Sequence, residues 1–146
     1  MKENKCEQAA KYFNQGLNCS QSVLSVFCQT YGISLETAAK IGCGLGGGAR
    51  SGELCGAVSG AILVIGLKYG NSSALDAEGK KLCYDKTKEF TEAFRKQNKS
   101  IVCKEILGSD LSTPEGYQKA QDAGLFQTRC VVMVKSAVNL LEALGY

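Results

Sequence analysis

At 146 residues, with 45% hydrophobic and 21% charged side chains, the chain has the length and balance of one globular domain over 1–146, able to bury a core without disulfides. A net charge of +3, with Lys and Arg interspersed among acids, leaves no electrostatic footprint for nucleic acid. Histidine is absent, which excludes a His-assisted nucleophile, a Cys-His zinc site, His-ligated haem and a His general base.

The N-terminus, Met1-Lys2-Glu3-Asn4-Lys5-Cys6, has neither an apolar core nor a twin-arginine pair. No Sec or Tat signal is expected there, and a cytoplasmic location follows. Glu7 to Phe13 carries a short helical face, Ala9, Ala10, Tyr12 and Phe13, ending at Asn14-Gln15-Gly16. Asn18 then has the character of an N-cap, with Cys19, Val23, Val26, Phe27 and Thr30 at helical spacing up to Tyr31-Gly32. Cys19 is expected to point inward from the first turn, and Cys28, nine residues on, falls about half a revolution away.

Ser34 caps a short helix, Leu35 to Ile41, which leads into the loop Gly42-Cys43-Gly44-Leu45-Gly46-Gly47-Gly48. This run matches GxGxxG formally, but a helix rather than a strand precedes it, so a dinucleotide fingerprint is rejected. Its expected role is to bring backbone close to Cys55 and to free N–H groups for an anion or thiolate. The next helix is expected from about Glu53 to Tyr69, stopped by Gly70-Asn71. Its apolar run, Leu54 to Leu67, is closed by Lys68 and falls short of the roughly 20 residues of a membrane span, so it reads as a buried core helix. Gly56 and Gly60, beside Ala57 and Ala61, make a smooth face for close helix packing, which offsets their cost of about 1 kcal/mol each.

Leu75 to Asn98 is the strongest amphipathic pattern, with Cys83, Thr87, Phe90 and Phe94 on one stripe. Ser100 caps Ile101 to Leu107, with Cys103 in the first turn and a stop at Gly108. Leu111 to Gly124 reads as polar and irregular, with a helical turn after Pro114. The last helix runs from about Gln127 to Leu144, with Cys130, Val134, Ala137, Leu141 and Leu144 facing inward. No segment alternates as a strand does. The expected fold is all-α, a compact bundle of about five to six helices.

Eight cysteines without an export signal are expected to stay mostly reduced. None forms a CxxC pair, which argues against zinc ribbons and thioredoxin-type dithiols. Cys19, Cys55, Cys103 and Cys130 each lie in the first turn or so of an expected helix, and four helix starts can converge at one end of a bundle. Cys55 stands out, because orphan N–H groups and the macrodipole at a helix start favour a thiolate. Arg50, five residues upstream, adds a positive charge. Against these readings stands the packing role of free cysteine as a small buried hydrophobe.

These positions resemble the CGAxxG family of redox-active proteins, also written C_GCAxxG_C_C. The residues that carry the resemblance are Gly16-Leu17-Asn18-Cys19-Ser20-Gln21-Ser22-Val23-Leu24, Gly46-Gly47-Gly48 followed by Cys55-Gly56-Ala57-Val58-Ser59-Gly60, Cys103-Lys104-Glu105-Ile106-Leu107-Gly108, and Cys130. The resemblance implies four family cysteines at Cys19, Cys55, Cys103 and Cys130, and a redox function that can involve an iron–sulfur type group. Cys6, Cys28, Cys43 and Cys83 fall outside the pattern and are read as incidental, although the loop of Cys43 can bring it close to Cys55.

Two chemistries follow for the four. In one, Cys55 is a low-pKa nucleophile of a thiol oxidoreductase, acting on a redox partner protein or a small thiol or disulfide, and a second family cysteine resolves the mixed disulfide. In the other, all four thiolates bind an iron–sulfur cluster or another metal. A third class keeps the thiols structural and makes the chain a small interaction module. The apolar helices also leave room for a homodimer.

Overall fold

The structure, a computed structural model, describes residues 4–146; Met1, Lys2 and Glu3, on which part of the signal-sequence reading rests, lie outside the described residues. It is all-helical. Eight α-helices follow in chain order among the described residues: α1 (Lys5–Asn14), α2 (Cys19–Ser25), α3 (Leu35–Gly42), α4 (Gly56–Tyr69), α5 (Ala77–Asn98), α6 (Cys103–Leu107), α7 (Pro114–Asp122) and α8 (Val131–Ala143). None of them is long and apolar enough to cross a membrane.

The bundle is organised around α4, which packs against α2, α5 and α8, while α1 lies on α8. Apolar or small residues surround α4 on every side, and Gly56 through Ala61, Val64 and Ile65 are all buried, as a helix without a polar face requires. The small residues do what their spacing suggests. A Cβ on Gly60 would stand 2.7 Å from the Ser20 carbonyl oxygen, and one on Gly56 would stand 3.0 Å from Cys19 Cβ. These two glycines set how closely α2 approaches α4. On α5, Phe90 and Phe94 are the buried part of the amphipathic stripe, whereas Cys83 and Thr87 are half-buried.

Three expectations need correction. The helix count is eight rather than five to six, and α7 is the clearest omission. Thr113 accepts a hydrogen bond from Gly116 N–H and Pro114 occupies the first turn, a start signal hidden by the polar composition of the segment. The second helix stops at Ser25 instead of running to Tyr31, and a 3-10 turn, Cys28–Tyr31, follows. The Ser25 carbonyl there accepts the Cys28 thiol at 3.4 Å, a side-chain bond that competes with the helical ladder. Finally, α4 begins at Gly56 rather than Glu53, because residues 53–55 are extended. Leu54 forms an isolated antiparallel bridge with Val102.

Candidate functional site

The four cysteines expected to act together line one cavity of about 330 Å³. Each reaches it by a different local device. Asn18 caps α2 in a capping box with Gln21, which places Cys19 as the first helical residue. The same Asn18 donates through Nδ2 to the Cys43 carbonyl at 2.9 Å, and Ser20 Oγ donates to the Gly42 carbonyl at 2.6 Å. The start of α2 is thereby tied to the glycine-rich segment. The glycines of that segment approach the site closely: a Cβ on Gly46 would meet the Asn18 side chain, and one on Gly48 would collide with Glu53 N and Cys103 Cβ.

Cys55 and Cys103 are positioned as neighbours of the Leu54–Val102 bridge. Cys55 N–H donates to the Ile101 carbonyl at 2.7 Å, and Cys103 N–H donates to the Glu53 carbonyl at 2.6 Å. Cys55 is the N-cap of α4 and Cys103 the first residue of α6. Lys104 and Glu53 add an exposed ion pair at 3.0 Å across the same crossing. Ser100 does not cap α6 directly, since Val102 is the N-cap; its Oγ instead accepts from Val102 N–H and donates to Glu105. Cys130 sits at the end of a widened helical turn, Phe126–Cys130, that runs straight into α8. Its own N–H therefore lies within continuous helical backbone and not at a free helix start.

All eight thiols are free. Within the cavity, the Cys19 and Cys130 thiols are close enough to shift each other's pKa. The neighbouring Cys19 thiol lowers the Cys130 pKa, and the Cys19 thiol is pushed well up by Cys130, by burial and by Cys55 and Cys103. At Cys55 the shift runs against the expected low pKa. Burial raises its pKa to about 11, and the backbone N–H groups of Ala57 and Val58 at the start of α4 offset this only in part. A helix start favours an anion by a fraction of what full desolvation costs it. The charge of Arg50 bears on Cys103 rather than on Cys55; Cys103 is nevertheless pushed up to about 12 by burial and by Cys55 and Cys130.

The remaining wall is mostly apolar, with Phe13, Leu17, Ile106, Leu107, Leu111, Tyr117, Phe126 and Met133, and Asn18 and Arg50 add polar side chains to it. Tyr117 and Phe126 pack with ring centroids 5.3 Å apart. Neither was legible as part of the site, because Tyr117 belongs to the helix taken for an irregular segment. The other four cysteines stay away from the cavity: Cys6 and Cys28 are buried elsewhere, Cys43 is exposed and Cys83 is half-buried. The glycine loop therefore does not bring Cys43 to Cys55.

The family described as "Putative redox-active protein (C_GCAxxG_C_C)" matches residues 17–144. The chain belongs to that family. No curated protein and no solved structure matches it. An iron–sulfur or other thiolate-bound centre would need several ligands directed at one point. Among the described residues, no group of three or more Cys, Asp or Glu side chains is arranged to hold a metal ion. Among the described residues, the four thiols share a cavity but do not form a ligand set.

Proposed function

We propose that this member of the family is a thiol–disulfide redox protein in which Cys130 is the attacking thiolate and Cys19 the resolving thiol. Cys55 and Cys103 are the protonated thiols of the same cavity. The reading rests on one observation: Cys19 and Cys130 line the same mostly apolar cavity, where Cys19 pulls the Cys130 pKa down and Cys130 pushes that of Cys19 up. It also suits a reducing compartment such as the cytoplasm, where eight free thiols persist.

In the forward direction, Cys130 Sγ attacks one sulfur of a substrate disulfide. A Cys130–substrate disulfide forms, the substrate S–S bond breaks, and the first thiolate leaves and takes up a proton. Cys19 then gives its proton to solvent and attacks Cys130 Sγ. The Cys19–Cys130 disulfide forms and the second substrate thiolate departs. Two protein thiols are oxidised and one substrate disulfide is reduced to two thiols, so two electrons move. A dithiol reverses the sequence.

Counting free thiols in protein purified without oxygen, before and after treatment with a small disulfide and then with dithiothreitol, tests this. The expected result is a reversible loss of two thiols per chain, mapped by mass spectrometry to Cys19 and Cys130. Stoichiometric iron or zinc that disappears when any one of Cys19, Cys55, Cys103 or Cys130 is replaced would overturn the proposal in favour of a bound centre. A constant thiol count in metal-free protein would overturn it in favour of a structural module.

A further inference from the structure

Among the described residues, Arg50 is the one charged residue that lines the thiol cavity. It is exposed, and no carboxylate among the described residues stands within ion-pair distance of it. Its backbone is unusual. Gly47, Gly48, Ala49 and Arg50 are four successive left-handed residues, with φ of 66°, 65°, 58° and 58°. For a residue with a Cβ this conformation costs about 1–2 kcal/mol, and Ala49 and Arg50 both carry that cost. Glu53 N–H closes the turn onto the Gly48 carbonyl at 3.1 Å. The Arg50 guanidinium folds back over Gly47, with Nη1 only 2.8 Å from where a Cβ at Gly47 would stand. A Cβ at Gly47 would push the guanidinium aside. Strain of this kind persists where the surroundings impose it, and it points to function when the displaced side chain has no structural partner. An unpaired guanidinium beside an apolar pocket is suited to a carboxylate, which it can hold with two parallel hydrogen bonds.

The cavity's size narrows the ligand. About 330 Å³ lies at the small end of the range for small-molecule pockets. Leu17, Ile106, Phe126 and Met133 offer it an apolar body contact.

We infer that the substrate is a small organic disulfide with an apolar body and a carboxylate, and that Arg50 is the residue that selects it by pairing with that carboxylate beside the thiol pair. This inference rests on the thiol–disulfide reading of the site. When Cys130 Sγ attacks, the half of the substrate held by Arg50 stays as the mixed disulfide and the other half leaves as a thiolate. Arg50 acts in binding and takes no part in the exchange of electrons.

Two aryl disulfides separate the possibilities: dithiobis(nitrobenzoate), which carries carboxylates, and dithiodipyridine, which is neutral. The full chain with Cys43→Ser and Cys83→Ser, which silences the more accessible thiols, is mixed with each reagent near neutral pH, and release of the chromophoric thiol is followed. The expected result for Arg50→Gln is a fall of about tenfold in the rate ratio of the carboxylate reagent to the neutral one, equivalent to about 1.4 kcal/mol. Arg50→Lys should keep most of that ratio. An equal change with both reagents would overturn the inference, because Arg50 would then act only through thiolate charge; so would no change with either. Faster reaction with the disulfides of insulin than with either reagent would overturn the small-molecule class. If cavity thiols of the parent chain react with none of the three, the underlying reading fails instead.

Discussion

The helical body and the cavity rim handle the same residue type in opposite ways. In the body, Cys6 donates to the Lys135 carbonyl at 3.2 Å and to Asn139 Oδ1 at 3.0 Å, and Cys28 donates to the Ser25 carbonyl. At the rim, thiols have other thiols as neighbours. Burial does not separate the two groups, since Cys6 and Cys55 are both 5% exposed. The neighbour separates them. A thiol that donates to an oxygen is satisfied and packs as a small hydrophobe, whereas Cys19, set beside a second thiol, lowers that sulfur's pKa and prepares it for attack. The two regions also differ in construction. Apolar burial around α4 builds the body, while the side of the rim that carries Cys55 and Cys103, residues 46–55 and 100–108, depends on one bridge, short helices and left-handed turns.

If close packing in the body holds the rim in place, the largest effect comes from its tightest contact. Gly60→Val should destabilise the fold by about 3 kcal/mol in chemical denaturation, because the added Cβ meets the Ser20 backbone, which cannot move aside cheaply. Gly66→Ala on the same helix is the control. A Cβ there has nothing within 4 Å, and the substitution should stabilise by up to about 1 kcal/mol. Equal effects at the two sites would break the link between packing and glycine spacing.

The next effect is in alkali. Cys55 keeps its proton up to about 11 in the fold, against an ordinary thiol value of 9.0. The unfolded chain therefore sheds this proton at lower pH than the folded chain does. The corresponding stability is complete below about pH 9 and is lost as pH rises to about 11, with a slope approaching 1.4 kcal/mol per unit. Cys55→Ala should flatten that part of the stability profile, measured as the difference from the parent chain. An unchanged profile would mean that Cys55 is hydrated in solution.

A smaller effect isolates the influence of Cys19 on Cys130. Cys19→Ala should slow alkylation of Cys130 near neutral pH by about tenfold, because the side chain that lowers its pKa is removed. Cys19→Ser retains a donor, so it should keep most of that rate while preventing the intramolecular disulfide and leaving the mixed disulfide trapped. Smallest of all, Cys43→Ser should change neither stability nor redox behaviour, since Cys43 is exposed and outside the cavity.

Much of the body was legible because its signals are local. The Asn18 and Ser34 caps, the Gly32 and Gly108 stops and the largely apolar run of α4 each follow from a few adjacent residues. The grouping of Cys19, Cys55, Cys103 and Cys130 was legible from helix starts together with the family resemblance. Which sulfur carries the charge was not. That depends on desolvation at Cys55 outweighing its position at a helix start, and on Cys19 meeting Cys130 across 111 residues of chain, both products of tertiary packing. The left-handed run through Ala49 and Arg50 was equally hidden, since neither residue type favours it. Only the neighbouring glycines hint at the turn.

The most direct test of the central claim is the pH dependence of alkylation at each cavity cysteine, read by mass spectrometry on the reduced full chain. The account predicts that Cys130 reacts first, with a midpoint below the ordinary thiol value of 9.0, while Cys55 and Cys103 react only in strong alkali, towards about 11 and about 12. A profile in which Cys55 titrates first and Cys130 stays protonated would contradict it, returning the nucleophile to the start of α4.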